Sequence, residues 1–380
     1  MWRGECLPRV GVVVLLASLL ATGGAAVGSL TSKVSPVLGA DFLISGPGAT
    51  DEEWCPAVVW NGTDNEYLVV WTDLRPWSGM DVYGRRVRAD GVALGSDFRI
   101  SGAGATSGED FPAVAWNEGA DQYLVVWHDW RNSTSGGADI YARRVSPAGV
   151  PVGGDIRITS LNASPQHSSE PTVVWNAAAN EYLVVWSDER NEATRGYDIY
   201  GRRVGPDGAR LGRDFRISGT GGVRNEWSPK VVWNGTANQY LVVWMDGRNH
   251  TFGFDVYGRR VGPDGVRLGR DFRINGTGAV TSGGPVAAWN GSENEYLVVW
   301  EDGRNYDTRE RDIYGRRVGP DGVRHGGDFR ISGGLATAEE ETAAVAWNAT
   351  DDEYLVVWDD HRNLDTRASD IYGRLVRGGQ

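Results

Sequence analysis

The chain has 380 residues, Asp+Glu 50 against Lys+Arg 38, and a formal net charge of −12. Its only lysines are Lys33 and Lys230, whereas gripping a phosphate backbone takes a concentrated basic face, so nucleic acid is excluded as a partner. Past the first residues no segment approaches the roughly twenty apolar residues that a membrane-spanning helix needs, so no membrane span is expected.

In chain order, Arg3 and Arg9 precede the apolar run Val10 to Leu20, which is followed by small residues up to Ala26. This is the pattern of an export signal, with residues 1–26 removed and a secreted or periplasmic product. Without them the net charge is about −13, since two arginines and Glu5 are lost. Cys6 goes too, leaving Cys55 as the only cysteine, so no internal disulfide is expected. Residues 27–38 read as a short linker, 39–376 as one domain and 377–380 as a tail.

Within 39–376 one pattern recurs six times. The first tryptophan of each unit is Trp60, Trp116, Trp175, Trp233, Trp289 and Trp347, at spacings of 56, 59, 58, 56 and 58 residues, which signals a repeat architecture. Each unit holds four strand-like runs, clearest in the fourth: a run from Pro229, QYLVVW from Gln239, DVYGRRV from Asp255 and DFRI from Asp271. Turn residues separate them, Asn234-Gly235 after the first and Gly262-Pro263-Asp264-Gly265 after the third. In QYLVVW both strand faces are apolar, as in a strand sandwiched between neighbouring sheets. The expected fold is all-β, a six-bladed β-propeller of four-stranded antiparallel blades. The sixth unit stops at Val376 without a DFRIS run, while Asp41-Phe42-Leu43-Ile44-Ser45 precedes the first. Strand 41–45 is therefore expected to complete the last blade and close the ring.

Every second strand ends in W-x-D-x-R, which places Asp73, Asp129, Asp188, Asp246, Asp302 and Asp360 two residues before Arg75, Arg131, Arg190, Arg248, Arg304 and Arg362. Such a group can hold a cation or a sugar hydroxyl. The reading preferred here is a repeated structural clip, because chemistry confined to one place needs no sixfold copy. In the last copy, EYLVVWDDHRN, only Asp359 and His361 are peculiar to the unit, and no separate chemistry is expected of them.

With the following D-[IV]-Y, as in Trp186, Asp188, Arg190, Asp198, Ile199 and Tyr200, the motif resembles the propeller repeat of the bacterial Tol-system periplasmic protein and its secreted relatives. The resemblance implies a six-bladed, non-catalytic, partner-binding scaffold without naming the partner.

Twelve of the 17 tryptophans belong to the repeat and are blade packing. Apart from Trp2 in the export signal, Trp54, Trp77, Trp130 and Trp227 do not, and they are candidate aromatic contacts for a sugar ring or peptide on the face built by the loops into strand one and out of strand two. Glu53, Glu109, Glu226 and Glu340 stand just before strand one, where they are expected to ring the channel mouth as a candidate ligand site. Ca²⁺ is one ligand considered there, although no metal-ligand spacing recurs and neither a cofactor nor a catalytic residue is assigned. The expected function is a monomeric scaffold binding a protein, peptide or glycan. The alternatives are a multivalent carbohydrate-binding module, or a hydrolase or lyase with a carboxylate or metal site at the channel mouth.

Overall fold

The structure is a computed structural model. It describes residues 42–46, 52–75, 79–102, 108–132, 137–160, 167–192, 196–219, 224–249, 253–279, 282–306, 310–333, 339–361 and 370–379. They form six consecutive antiparallel sheets, five of four strands and a last one of three. Each sheet is a meander in chain order, and the innermost strands contact one another in succession from the first blade to the sixth. The expected six-bladed β-propeller is the fold.

The fourth blade shows how the sequence builds it. Its strands are Glu226–Asn234, Gln239–Asp246, Asp255–Val261 and Arg267–Arg273. Along the second strand Tyr240, Val242 and Trp244 pack with Leu183, Val185, Ile199 and Ile217 of the third blade. Leu241 and Val243 pack with Tyr296, Val298 and Trp300 of the fifth. Alternate residues of a strand face opposite sides, so a run apolar at every position joins two neighbours at once. The turns follow their chemistry as well: Gly265 takes φ 83, and Asp264 Oδ1 accepts Val266 N at 3.0 Å.

The inner strand departs from the sequence reading. It begins at Glu226, three residues before Pro229, because a β-bulge between Trp227 and Lys230 carries the ladder through Ser228 at φ 50. The bulge recurs at Cys55, Phe111, Glu170, Gly284 and Thr342, all at positive φ. Bulges re-aim side chains at the rims of sheets, and here the rim is where the six copies differ most in sequence.

The chain ends behave differently from each other. Phe42–Gly46 docks on the first blade as a fourth strand docks on the blade after it. Gly46 N donates to Asp97 as Gly102 N donates to Asp155, Ile44 joins Val69, Trp71 and Val87, and Ser45 meets Glu53. Among the described residues it has no ladder with Asp370–Arg377, so the expected clasp is seated on the first blade while the sixth sheet holds three strands. Ile371 and Leu375 on that edge are each 54 % exposed, against none of Ile313 at the equivalent place in the fifth blade. The cysteine expectation is corrected: Cys55 is disulfide-bonded, not a free thiol. That expectation discounted Cys6 as lost with residues 1–26; Cys6 lies outside the described residues.

Candidate functional site

The sixfold motif is a packing device. In every blade the indole N–H of the strand-two tryptophan donates to the clip aspartate, from Trp71 to Asp73 at 3.2 Å through Trp358 to Asp360 at 3.2 Å. Arg190 donates its backbone N–H and Nε to Asp188 Oδ1 and its Nη2 to Oδ2. It also reaches Asp214 of the fourth strand at 3.2 Å and lies over the Tyr200 ring at 3.9 Å. Arg131, Arg248 and Arg304 repeat this geometry. Each guanidinium is thus shared between carboxylates and an aromatic face, a use that suits its planar fork. The Arg75 side chain, Arg362 and Trp77 lie outside the described residues.

Glu109, Glu226 and Glu340 open their inner strands and are buried, while Glu53 is exposed. Each faces the seam with the preceding blade, meeting Ser101, Ser218 and Ser332 there. Burial pushes Glu109 up to about 8 and Glu340 to about 7, with the clip aspartates Asp129 and Asp360 adding to the effect. Glu226 is raised well above the ordinary range by burial and Asp246. Their neighbours are seam residues of the adjoining blade. Among the described residues no three His, Cys, Asp or Glu side chains are arranged to hold a metal ion.

Chemistry that is not repeated lies one residue further along. The second residue of each inner strand pairs with the residue before the clip aspartate: Trp54 with Thr72, Asp110 with His128, Ser169 with Ser187, Trp227 with Met245, Gly283 with Glu301 and Glu341 with Asp359. These equivalent positions place all six pairs at the same end of the blades.

In blades five and six the ring of variable positions is ionic. Glu341 and Asp359 are opposite one another in the ladder, and both are buried, at 8 % and 5 % exposure. Directly opposed residues have Cβ atoms about 5 Å apart. Arg311 Nη1 lies 3.2 Å from Glu339, 3.6 Å from Glu341 and 3.7 Å from Glu301. His361 Nε2 is 3.7 Å from Glu341 Oε1, and Thr342 N donates to Glu301 Oε1 at 2.8 Å. Burial raises Glu341, helped by Glu339 and Asp359 and opposed by His361 and Arg311. Burial also raises Asp359, opposed by His361 and helped by Glu301. Both carboxyls are therefore held above the ordinary range, and the cationic groups around them differ: Arg311 and His361 lie beside Glu341, and His361 alone opposes the rise at Asp359.

In blades one to four aromatic side chains gather at and around these positions. Asp110 Oδ1 accepts Trp54 Nε1 and Thr72 Oγ1, both at 3.1 Å, and Phe111 N at 2.7 Å. Burial raises Asp110 against those hydrogen bonds. His128 packs on Trp130 and His167 at centroid distances of 4.9 and 5.0 Å, and Tyr197 stacks on Trp227 at 4.7 Å. Trp54, Trp130 and Trp227 are all half-buried.

Sequence reasoning named Trp54, Trp130 and Trp227, noticed Asp359 and His361 without giving them a role, and missed Asp110, Glu341 and Arg311. The signal was present as departures from the repeat consensus at the bulge.

No protein-family model matches the chain, and no curated protein matches it. Solved structures do. The GH93 α-L-arabinofuranosidase of Fusarium graminearum, in complex with arabinobiose, is 14% identical with a TM-score of 0.57, covering 88% of this chain and 96% of that one. An α-L-arabinanase of Penicillium chrysogenum, also with arabinobiose, is 14% identical with a TM-score of 0.56, covering 85% and 92%. A neuraminidase-like protein from a little yellow-shouldered bat isolate is 9% identical with a TM-score of 0.54, covering 88% and 96%. The class this defines is the six-bladed β-propeller.

Two expectations are corrected by these findings. The resemblance to the Tol-system propeller is not supported: the motif that suggested it is the tryptophan–aspartate–arginine clip, which blade packing alone explains. The non-catalytic scaffold, and the leaning against an enzyme, rested on that resemblance. Propellers similar to this one are glycoside hydrolases by name, so the fold gives no ground for excluding catalysis, and the sixfold argument applies only to the clip.

Proposed function

We propose that the protein is a secreted hydrolase of glycosidic bonds, with its catalytic carboxyls at Glu341 and Asp359. The observation that carries the reading is this buried cross-strand pair, present in one copy of six and held by Arg311 and His361. Glycoside hydrolysis needs one carboxyl that keeps its proton to protonate the leaving oxygen and a second that is ionised to attack the sugar or activate water. Arg311, 3.6 Å from Glu341, is the charge to which this reading assigns that difference. Glu341, beside the guanidinium, is the ionised member; Asp359, buried against Glu301, is the acid. Glu301 and Glu339 hold Arg311 in place. The propellers named as arabinofuranosidase and arabinanase support the reaction class and suggest the first substrates to try.

The test is release of aryl alcohol from a panel of aryl glycosides, α-L-arabinofuranoside first, by the purified protein and by Glu341→Gln and Asp359→Asn. Turnover of one substrate that both substitutions abolish, with unchanged circular dichroism, is expected. Turnover that survives both would sink the assignment.

A further inference from the structure

The aromatic positions of the second, third and fourth blades have no part in the chemistry above, yet they form one continuous feature. Phe111, His128, Trp130, His167, Tyr197 and Trp227 follow one another in five ring-to-ring steps of 4.7–6.3 Å. The path crosses two blade boundaries, from His128 or Trp130 to His167 and from Tyr197 to Trp227, and so its length exceeds a single sugar ring. His128 forms its floor at 3 % exposure, while Trp130, His167, Tyr197 and Trp227 are half-buried.

Several of its polar atoms are left over, as some are in the repeated blade core. His128 is buried with neither Nδ1 nor Nε2 hydrogen-bonded, His167 Nδ1 is unpartnered, and so is the Trp227 indole N–H. A buried polar atom without a partner costs about 1–3 kcal/mol; these four are shielded from solvent, so a small side-chain movement that exposes them lets a ligand bringing both donors and acceptors recover that cost. A neutral imidazole offers one of each. Burial holds both histidines toward the neutral form, which disfavours an anion. The carboxylates at the edge are already engaged, Glu189 by the Tyr197 hydroxyl at 3.0 Å and Glu170 by Ser228 N at 2.6 Å, which disfavours a cation cage.

From these contacts we infer that the strip is a binding track for a neutral glycan chain of several units, running round the propeller face toward the carboxylates of the fifth and sixth blades. Rings stack on the sugar faces, and the imidazoles and indole exchange hydrogen bonds with hydroxyls. The inference rests on the glycoside-hydrolase reading for the identity of its ligand. It adds that the substrate is polymeric and that affinity is set on the opposite side of the ring from catalysis.

The experiment is calorimetric titration, with tryptophan fluorescence in parallel, of neutral linear oligosaccharides (arabino-, xylo- and cello- series, two to six units), using Glu341→Gln so that nothing is consumed. Affinity in one series should rise with chain length. Trp130→Ala and the half-exposed His167→Phe should each weaken the longest member about 3–10-fold. On the active protein they should raise KM for long chains by more than they raise KM for an aryl glycoside. Length-independent affinity, insensitivity to both substitutions, or tighter binding of choline or a uronic-acid oligomer than of any neutral chain overturns the track. If wild type binds chains with this length dependence and cleaves no glycoside, the track stands and the hydrolase reading falls. Cleavage of aryl glycosides without length-dependent binding does the reverse.

Discussion

The aromatic arc of blades two to four and the ionic arc of blades five and six occupy the same backbone positions. Asp110 and Glu341 are both second in their inner strands, and His128 and Asp359 both precede a clip aspartate. Trp130 and His361 both follow one, His167 and Glu339 both precede an inner strand, and Tyr197 and Arg311 both precede a third strand. Even the contacts across the seam correspond: Tyr197 of blade three meets Trp227 of blade four, and Arg311 of blade five meets Glu341 of blade six. One repeated frame therefore presents two chemistries, aromatic stacking on one side and a charged pair on the other. Because the clip fixes the backbone beneath both, side chains at the bulge can change without disturbing the blade.

That separation predicts unequal responses to substitution. The largest effect belongs to the ionic arc: Glu341→Gln or Asp359→Asn should lower kcat by about 10²–10⁴-fold with little change in the unfolding midpoint, measured on whichever glycoside is turned over. The pH profile should be bell-shaped, falling at low pH as Glu341 is protonated and at high pH as Asp359 loses its proton, with both limbs above the ordinary carboxylate range. Arg311→Met removes the cation opposing Glu341 protonation, so the acidic limb should move to higher pH. A profile unmoved by this change would break the assignment of Glu341 as the ionised member.

The clip should respond in the opposite sense. Asp188→Ala leaves Trp186 Nε1 and Arg190 without their main acceptor in a buried place, and a cost of about 3 kcal/mol is expected in urea unfolding, with activity per folded molecule retained. A smaller effect is the pH dependence of stability that comes from Glu109. Its folded pKa of about 8 lies above the ordinary 4.5, so the folded state binds the proton more tightly and stability falls as pH rises from about 4.5 to 8. Glu109→Gln should flatten that part of the curve, and a slope identical to wild type would exclude the seam glutamate as its source. Trp54→Phe, which removes one N–H from Asp110, should be smallest, costing about 1 kcal/mol or less.

The repeat made most of the fold legible without coordinates. Six spaced tryptophans, strand runs apolar on both faces and turn residues at fixed offsets leave little choice but a ring of meander sheets, and the W-x-D-x-R motif was readable as structural because it was everywhere. Glu109, Glu226 and Glu340 were harder to place, since a strand taken to start at proline hides the bulge that carries each glutamate into a seam. For the same reason Glu341 and Asp110 passed for loop residues, and the motif resemblance pointed toward a scaffold.

What the sequence determined by itself is what repeats: local pattern and hydrogen-bonding chemistry, written six times, specify blade, clip and turn. Only the tertiary structure decided which exceptions meet, because Glu341 finds Asp359 across a ladder, Arg311 across a seam, and His128 finds His167 in the next blade. Those contacts join residues that are far apart in the chain and share no pattern. They exist because the bulges bring the ends of successive inner strands to one rim.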